Sequence, residues 1–219
     1  MKTKLLAKSA LSVLIIFLGL NLAGCTFIIQ SGRRSDVRKI EELSRQLDEL
    51  AQAKKLLEDT LGQEIKDKQV SLRMQDKGLV ITFVADVLFD SGKDKIKSEA
   101  FSILDKVCRV LQENVPQLNV GVEGHTDNIP IKVSRWKSNW ELSTARALSV
   151  LHYLVDNKGI SPERISAIGY GEYRSVASNE TKEGRQMNRR VEIVILPPVT
   201  KVKDSKKEPE NLETQENLK

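Results

Sequence analysis

The sequence predicts an α+β fold in which helices pack on one face of a single sheet. Three observations carry that prediction. Residues 70–84 read as a strand, turn and strand; two segments, about 98–114 and 138–158, repeat their apolar residues at helical spacing; and Val191–Leu196 reads as a last strand.

Taken in order, Val70-Ser71-Leu72-Arg73-Met74-Gln75 alternates as a half-buried strand does, and Asp76-Lys77-Gly78 supplies a glycine-containing turn before the apolar run Leu79–Val84. Helical spacing runs from about Ser98 to Asn114, and Leu118–Glu123 reads as a strand that ends near Gly124. Ser138-Asn139-Trp140-Glu141 has the Ser-x-x-Glu spacing of a capping box, so a helix starts at Ser138 and runs to Asn157 or Lys158, with Gly159 as its stop. Asn139, Ser143 and Arg146 fall on one face of that helix, while Leu148, Leu151 and Val155 face the core. A short strand at Arg164–Ile168, a short helix at Gly184–Met187 and the final strand complete a β-β-α-β-α-β-β order of main elements.

Ahead of the domain, residues 36–69 carry heptad-like apolar positions at Ile40, Leu43, Leu47, Leu50, Leu57 and Leu61, the pattern of an amphipathic helix with a coiled-coil seam. Lys54 interrupts the seam, and Ile65 and Leu72 fit only a shifted register. A helix of this length extends about 50–60 Å, enough to act as a spacer. The seam can serve homo-oligomerisation or an envelope partner; the competing reading is a single helix docked on its own domain or on a partner.

Residues 1–24 read as a secretory signal, with Lys2, Lys4 and Lys8 ahead of the apolar run Leu11–Leu20, which falls short of the roughly 20 apolar residues of a membrane span. Leu22-Ala23-Gly24-Cys25 resembles a bacterial lipobox, which implies cleavage before Cys25, its lipidation with a membrane anchor, and residues 25–35 as a lipidated linker. An uncleaved anchor is the alternative. Thr26 in place of an acid implies, by the same resemblance, sorting to the outer membrane and a periplasmic location. At the other end, residues 197–219 are polar, with two Leu and two Val as their large apolar residues, and are expected to be disordered.

The net charge of +5 falls to +2 once the three signal lysines are removed, and the remaining Lys and Arg are interleaved with acids, which argues against nucleic acid as a partner. With Cys25 lipidated, Cys108 is left with no disulfide partner and suits a buried, small apolar role. Two histidines and no Cys-x-x-Cys or His-x-x-Glu-His pattern give no basis for a metal or other cofactor. Ser134-Arg135-Trp136-Lys137 matches Ser-x-x-Lys, but the companion signatures of that chemistry are absent. Noncovalent binding is therefore expected, and an enzyme is not.

Asp127 lies just past a strand end in Gly124-His125-Thr126-Asp127, and Arg146 lies in Leu142-Ser143-Thr144-Ala145-Arg146-Ala147. A carboxylate takes an ammonium and a guanidinium fork takes a carboxylate, so together they match the head group of a free amino acid. On spacing alone, Asp127 reads as a turn-forming acid and Arg146 as a surface residue or an internal partner of Asp127, ahead of ligand contact. With Gly184-Arg185-Gln186-Met187-Asn188-Arg189-Arg190 downstream, these phrases closely resemble the OmpA-like peptidoglycan-binding family across residues 70–196. The resemblance implies an OmpA-like β-α-β-α-β-β sheet and binding of peptidoglycan through the diaminopimelate of its peptide stems, with Asp127 and Arg146 as the contacts.

Asn139 and Thr126 can bond either the ligand or the Asp127 loop. Arg185, Asn188, Arg189 and Arg190 are expected to support that loop, with Arg189 the strongest candidate among them for ligand contact, and His125 suits a structural position in the strand-end turn. Trp136 and Trp140 can stack on sugar or peptide, or pack internally. The chain departs from many relatives at Asn128-Ile129-Pro130 and in its longer loop to Asn139. Ser138–Ser143 resembles the branch of the family found in flagellar stator proteins, which adds an alternative: a wall-anchoring accessory lipoprotein of a flagellar motor or other envelope complex.

Overall fold

A computed structural model describes residues 36–131 and 135–197 of the 219-residue chain. The signal, Cys25, the linker to residue 35, Ser134 and the tail from residue 198 lie outside the described residues.

Helix α1 (residues 36–60) runs through a turn into α2 (Gly62–Lys66). The hairpin follows as β1 (Val70–Gln75) and β2 (Gly78–Val84), in antiparallel register from Val70↔Phe83 to Gln75↔Gly78. A single turn, α3 (Ala85–Leu88), precedes α4 (Phe101–Glu113). Then come β3 (Asn119–His125), α5 (Asn139–His152), β4 (Ile165–Gly169), α6 (Lys182–Asn188) and β5 (Arg190–Leu196). The five-stranded sheet has the order β1-β2-β5-β3-β4, with only β3 and β4 parallel. This is the expected α+β architecture.

Strand alternation sorts the two faces of the sheet. Leu79, Ile81 and Phe83 of β2, Val120 and Val122 of β3, and Val191, Ile193 and Ile195 of β5 form one core with Leu104, Val107 and Leu111 of α4 and Ala147 and Val150 of α5. Cys108 is buried among them, as its apolar surroundings predict. The second half of α1 joins the same core: Leu50, Ala53, Leu57 and Leu61 are fully buried, and Glu64 of α2 pairs with Lys106 of α4 at 2.6 Å. The spacer expected over 36–69 is therefore replaced, from Leu50 onward, by a helix seated on the domain. Ile40 and Leu47, on the earlier part of the same seam, are 66% and 59% exposed.

α5 begins as its sequence requires. Ser138 accepts a hydrogen bond from the amide of Glu141, and the Glu141 carboxylate reaches back to the amide of Lys137 at 2.8 Å. The helix relaxes to a π-turn at Tyr153–Asn157 and ends at Gly159. Its first turns lie unusually close to the sheet. A Cβ on Gly124 would stand 2.0 Å from the carbonyl oxygen of Ser143, and one on Gly169 would stand 2.5 Å from the amide nitrogen of Thr144. These two glycines are paired in the parallel β3–β4 register, so together they form the seat on which α5 rests.

The opposite face carries a buried ionic cluster. Lys77, from the hairpin turn, places its ammonium 2.7 Å from Glu123 and 2.9 Å from Glu192, and Glu192 also accepts from Arg190 Nε at 2.6 Å. His125 is buried beside them and stacked on Tyr170. Burial opposes ionisation of both carboxylates, but hydrogen bonds from the cluster outweigh it and hold Glu123 and Glu192 below the usual range. Burial pushes the His125 imidazole down, so it is neutral.

Three outcomes follow from this packing. Leu57→Ala should cost roughly 2–5 kcal/mol in urea unfolding, while Leu47→Ala, in dilute protein, should change stability by no more than about 0.5 kcal/mol. Gly124→Ala should lower stability by at least about 1–3 kcal/mol, because the atom it meets is backbone. As pH falls, the unfolded chain takes up protons at His125 and then at Glu123 and Glu192 before the folded chain does, so stability should decline from neutral pH through the carboxylate range. Urea midpoints at pH 7.5 and 4 measure that decline, and Glu123→Gln should flatten its lower part.

Candidate functional site

An open cleft of about 540 Å³ lies where four segments meet. The end of β3 supplies Thr126 and Asp127, the first half of α5 supplies Asn139, Leu142 and Arg146, the α3 region supplies Asp86, Phe89 and Asp90, and the entry to β5 supplies Arg189. Asp127 and Arg146, predicted from separate phrases, thus line one cavity.

Asp127 is 7% exposed and held on both oxygens. Oδ1 accepts from the amide of Ile129 at 3.1 Å, a local turn of the kind its residue type favours. Oδ2 accepts from Arg189 Nη1 at 2.9 Å. The partner of Asp127 is therefore Arg189 and not Arg146. Arg189 also reaches Asp86 at 3.2 Å. Burial works against its charge, but the hydrogen bond and attraction from Asp127 and Asp86 raise its pKa above the ordinary value.

Arg146 comes off the second turn of α5 and is buried. Nε donates to the Lys93 carbonyl at 2.9 Å and Nη2 to the Asp90 carbonyl at 3.2 Å, with the guanidinium 5.2 Å from the centre of the Phe89 ring. Two of its five N–H donors are thereby spent on locking its orientation. Burial pushes its pKa down, with Asp86 the leading opposing influence, and a guanidinium remains charged even so.

The remaining candidates divide. Asn139 Nδ2 donates to the carbonyls of Asp127 (3.3 Å) and Ile129 (3.2 Å) and to Glu172 Oε2 (2.7 Å), so it braces the Asp127 loop from the cleft wall. Thr126 lines the cleft, and its buried hydroxyl has no hydrogen-bond partner among the described residues. Asn188 and Arg185 do not line the cleft. Asn188 bonds the amides of Val176 and Ala177, and Arg185 bonds the carbonyls of Asn179 and Glu180, so both support the 175–180 loop instead. Arg190 belongs to the cluster on the other face. Ser143, on the face of Asn139 and Arg146, is fully buried and accepts from the Gly171 amide.

Asp86, Phe89 and Asp90 also line the cleft, and no local signal in the sequence marks them. A one-turn helix followed by extended chain has no periodicity to detect, and these residues matter only because tertiary packing brings them under Arg146. Trp136 lines the cleft and donates its indole N–H to the Gly92 carbonyl at 2.8 Å, and Arg135 pairs with Asp94. The loop after Asp127 is thus pinned to the 90–94 segment.

Three acids (Asp86, Asp90, Asp127) and three bases (Lys97, Arg146, Arg189) line the cavity, a balance suited to a zwitterion and not to a polyanion. Glu123, His125 and Glu192 have ligand atoms within 4.8 Å of one another, as metal donors do, but the Lys77 ammonium already bridges the two carboxylates.

Comparison with known proteins identifies the domain. A model of the OmpA family matches residues 88–189. Motility protein B of Bacillus subtilis is 40% identical over 165 residues, 75% of this chain and 59% of that protein. Outer membrane porin F of Pseudomonas aeruginosa is 38% identical over 113 residues, 52% of this chain and 31% of the porin. The chain therefore spans less than two thirds of either relative. Among solved structures, the cell wall anchor of the T6SS from Pseudomonas aeruginosa superposes with a TM-score of 0.59 at 34% identity, over 65% of this chain and 97% of that one. A periplasmic domain of Helicobacter pylori MotB gives 0.56 at 27% identity, over 60% and 84%. With the β3–α5–β4 scaffold and its matched segment in agreement, the chain belongs to the OmpA family through the domain at residues 88–189.

Proposed function

We propose that this protein is a noncovalent anchor to the bacterial cell wall that recognises the diaminopimelate of peptidoglycan stems. One observation carries the reading: an acid and a pre-oriented guanidinium line a single charge-balanced cleft. Diaminopimelate ends in its own ammonium and carboxylate. The ammonium would share Asp127 with Arg189, and the carboxylate would take the remaining donors of Arg146. Thr126, whose buried hydroxyl has no partner among the described residues, would complete the contact.

The reading is one of binding, because both carboxylate oxygens of Asp127 are already engaged, one by the Ile129 amide and one by Arg189. It is supported by a solved relative described as a cell wall anchor. In the full proposal a lipid on Cys25 holds the chain to the outer membrane on its periplasmic side, and the exposed Ile40–Leu47 strip of α1 offers a surface for a second copy or an envelope protein. A second reading, an accessory anchor of a flagellar motor, is favoured by the Motility protein B match, which takes in 75% of this chain against 52% for porin F.

Co-sedimentation of the full chain with diaminopimelate-type sacculi tests the cleft. Asp127→Ala and Arg146→Ala should each weaken retention at least about tenfold, free diaminopimelate should compete, and sacculi with lysine in place of diaminopimelate, whose stem side chain ends in an ammonium without a carboxylate, should retain the chain more weakly. Equal retention of wild type and a folded Arg146→Ala variant would sink the assignment. Loss of swimming with an intact envelope in a deletion strain would favour the motor reading.

A further inference from the structure

Just outside the cleft, two aromatic side chains are stacked on each other and left open to solvent. Trp140 and Tyr173 have ring centroids 5.1 Å apart at 23°, and they are 47% and 67% exposed. Large aromatic side chains normally contribute by being buried, so a stacked pair this exposed is an unspent binding surface.

The pair is built into the site. Asn139 hydrogen-bonds Glu172 at 2.7 Å, and the next residue on each segment, Trp140 and Tyr173, stacks with its counterpart. The polar half of this ladder braces the cleft wall, since Asn139 lines the cavity and holds the Asp127 loop. The aromatic half continues directly from it. Trp140 is seated on Gly171, where a Cβ would come 3.5 Å from indole Cδ2 and 3.4 Å from the Trp140 amide nitrogen, and Ser143 bonds both the Trp140 carbonyl and the Gly171 amide. The platform is therefore fixed by the same helix start that positions Arg146.

We propose that the Trp140–Tyr173 pair is a stacking subsite for an amino-sugar ring of the glycan strand, continuous with the cleft that takes the stem peptide. The inference rests on the wall-binding reading above and extends it from the peptide to the sugar. Size and chemistry favour a sugar over a protein. A stable protein interface needs about 800 Å² on each partner with charged residues depleted at its centre, whereas this patch is two side chains bordered by Glu172, Arg174 and Ser175. A pyranose presents a flat C–H face to an aromatic ring and hydroxyls to such a polar border. Reach is also suitable: the third residue of an extended stem lies about 10 Å from its sugar, so one strand can present its peptide to the cleft while its backbone crosses the adjoining platform.

The test uses the full chain and two matrices, intact sacculi and glycan strands stripped of peptide by an amidase. Wild type should be retained on stripped glycan, and free diaminopimelate should not release it. Trp140→Ala and Tyr173→Ala should each weaken that retention on the order of 3- to 10-fold, and Trp140→Phe should restore most of it. Thermal unfolding of each variant checks that loss of binding is not loss of fold. No retention of wild type on stripped glycan, or equal retention of wild type and folded Trp140→Ala, overturns the proposal. The two readings fail separately: competition by diaminopimelate without glycan retention removes the platform and keeps the cleft, while glycan retention without diaminopimelate competition does the reverse.

Discussion

The contact on which this site depends is the seating of α5 against Gly124 and Gly169. Side chains normally hold a helix about 10 Å from a sheet, and their packing has some give. Here backbone meets backbone, and nothing larger than a hydrogen fits between them. That proximity sets Arg146 at the level of Asp127, lets Ser143 bond the Gly171 amide, and brings Asn139 to the carbonyls beneath Asp127. The charged groups come from distant parts of the chain, but one rigid contact fixes their relative height.

Electrostatics then prepares the site. An isolated buried carboxylate would favour its neutral form, and an isolated buried guanidinium would be costly to desolvate. Arg189 stands beside Asp127 and Asp86, while Arg146 is satisfied by two carbonyls. Each charge therefore has partial compensation and spare capacity. On the proposed reading, a ligand with one ammonium and one carboxylate would answer both ends of the cleft, and a singly charged ligand would answer one.

The elements legible in the sequence were those whose signals are local. Alternation marked the hairpin, Ser138 and Glu141 marked the start of α5, and the phrases around Asp127 and Arg146 marked the cleft. What stayed hidden depends on tertiary distance. The partner of Asp127 lies 62 positions away, and no spacing rule selects Arg189 over Arg146 for that role. Asn188 and Arg185 share a motif with Arg189 yet bond the 175–180 loop, a division of roles that no spacing within the motif encodes. The α1 seam was visible, but a helix that docks on its own domain and one that pairs with another helix need the same apolar repeat. Periodicity shows that a face will be covered without showing by what.

If the chain works as the proposed tether, held at its amino-terminal side, the docked half of α1 has a mechanical meaning. Tension entering from the amino-terminal side meets the chain in a set order: first the seat formed by Leu50, Ala53, Leu57 and Leu61, then the edge strand β1, which pairs only with β2. β3 and α5, which carry the grip, lie farther along the chain. A pull would therefore peel the helix from the core and lengthen the tether before the load reached the ligand pocket, so the helix seat acts as a yielding element in series with the grip.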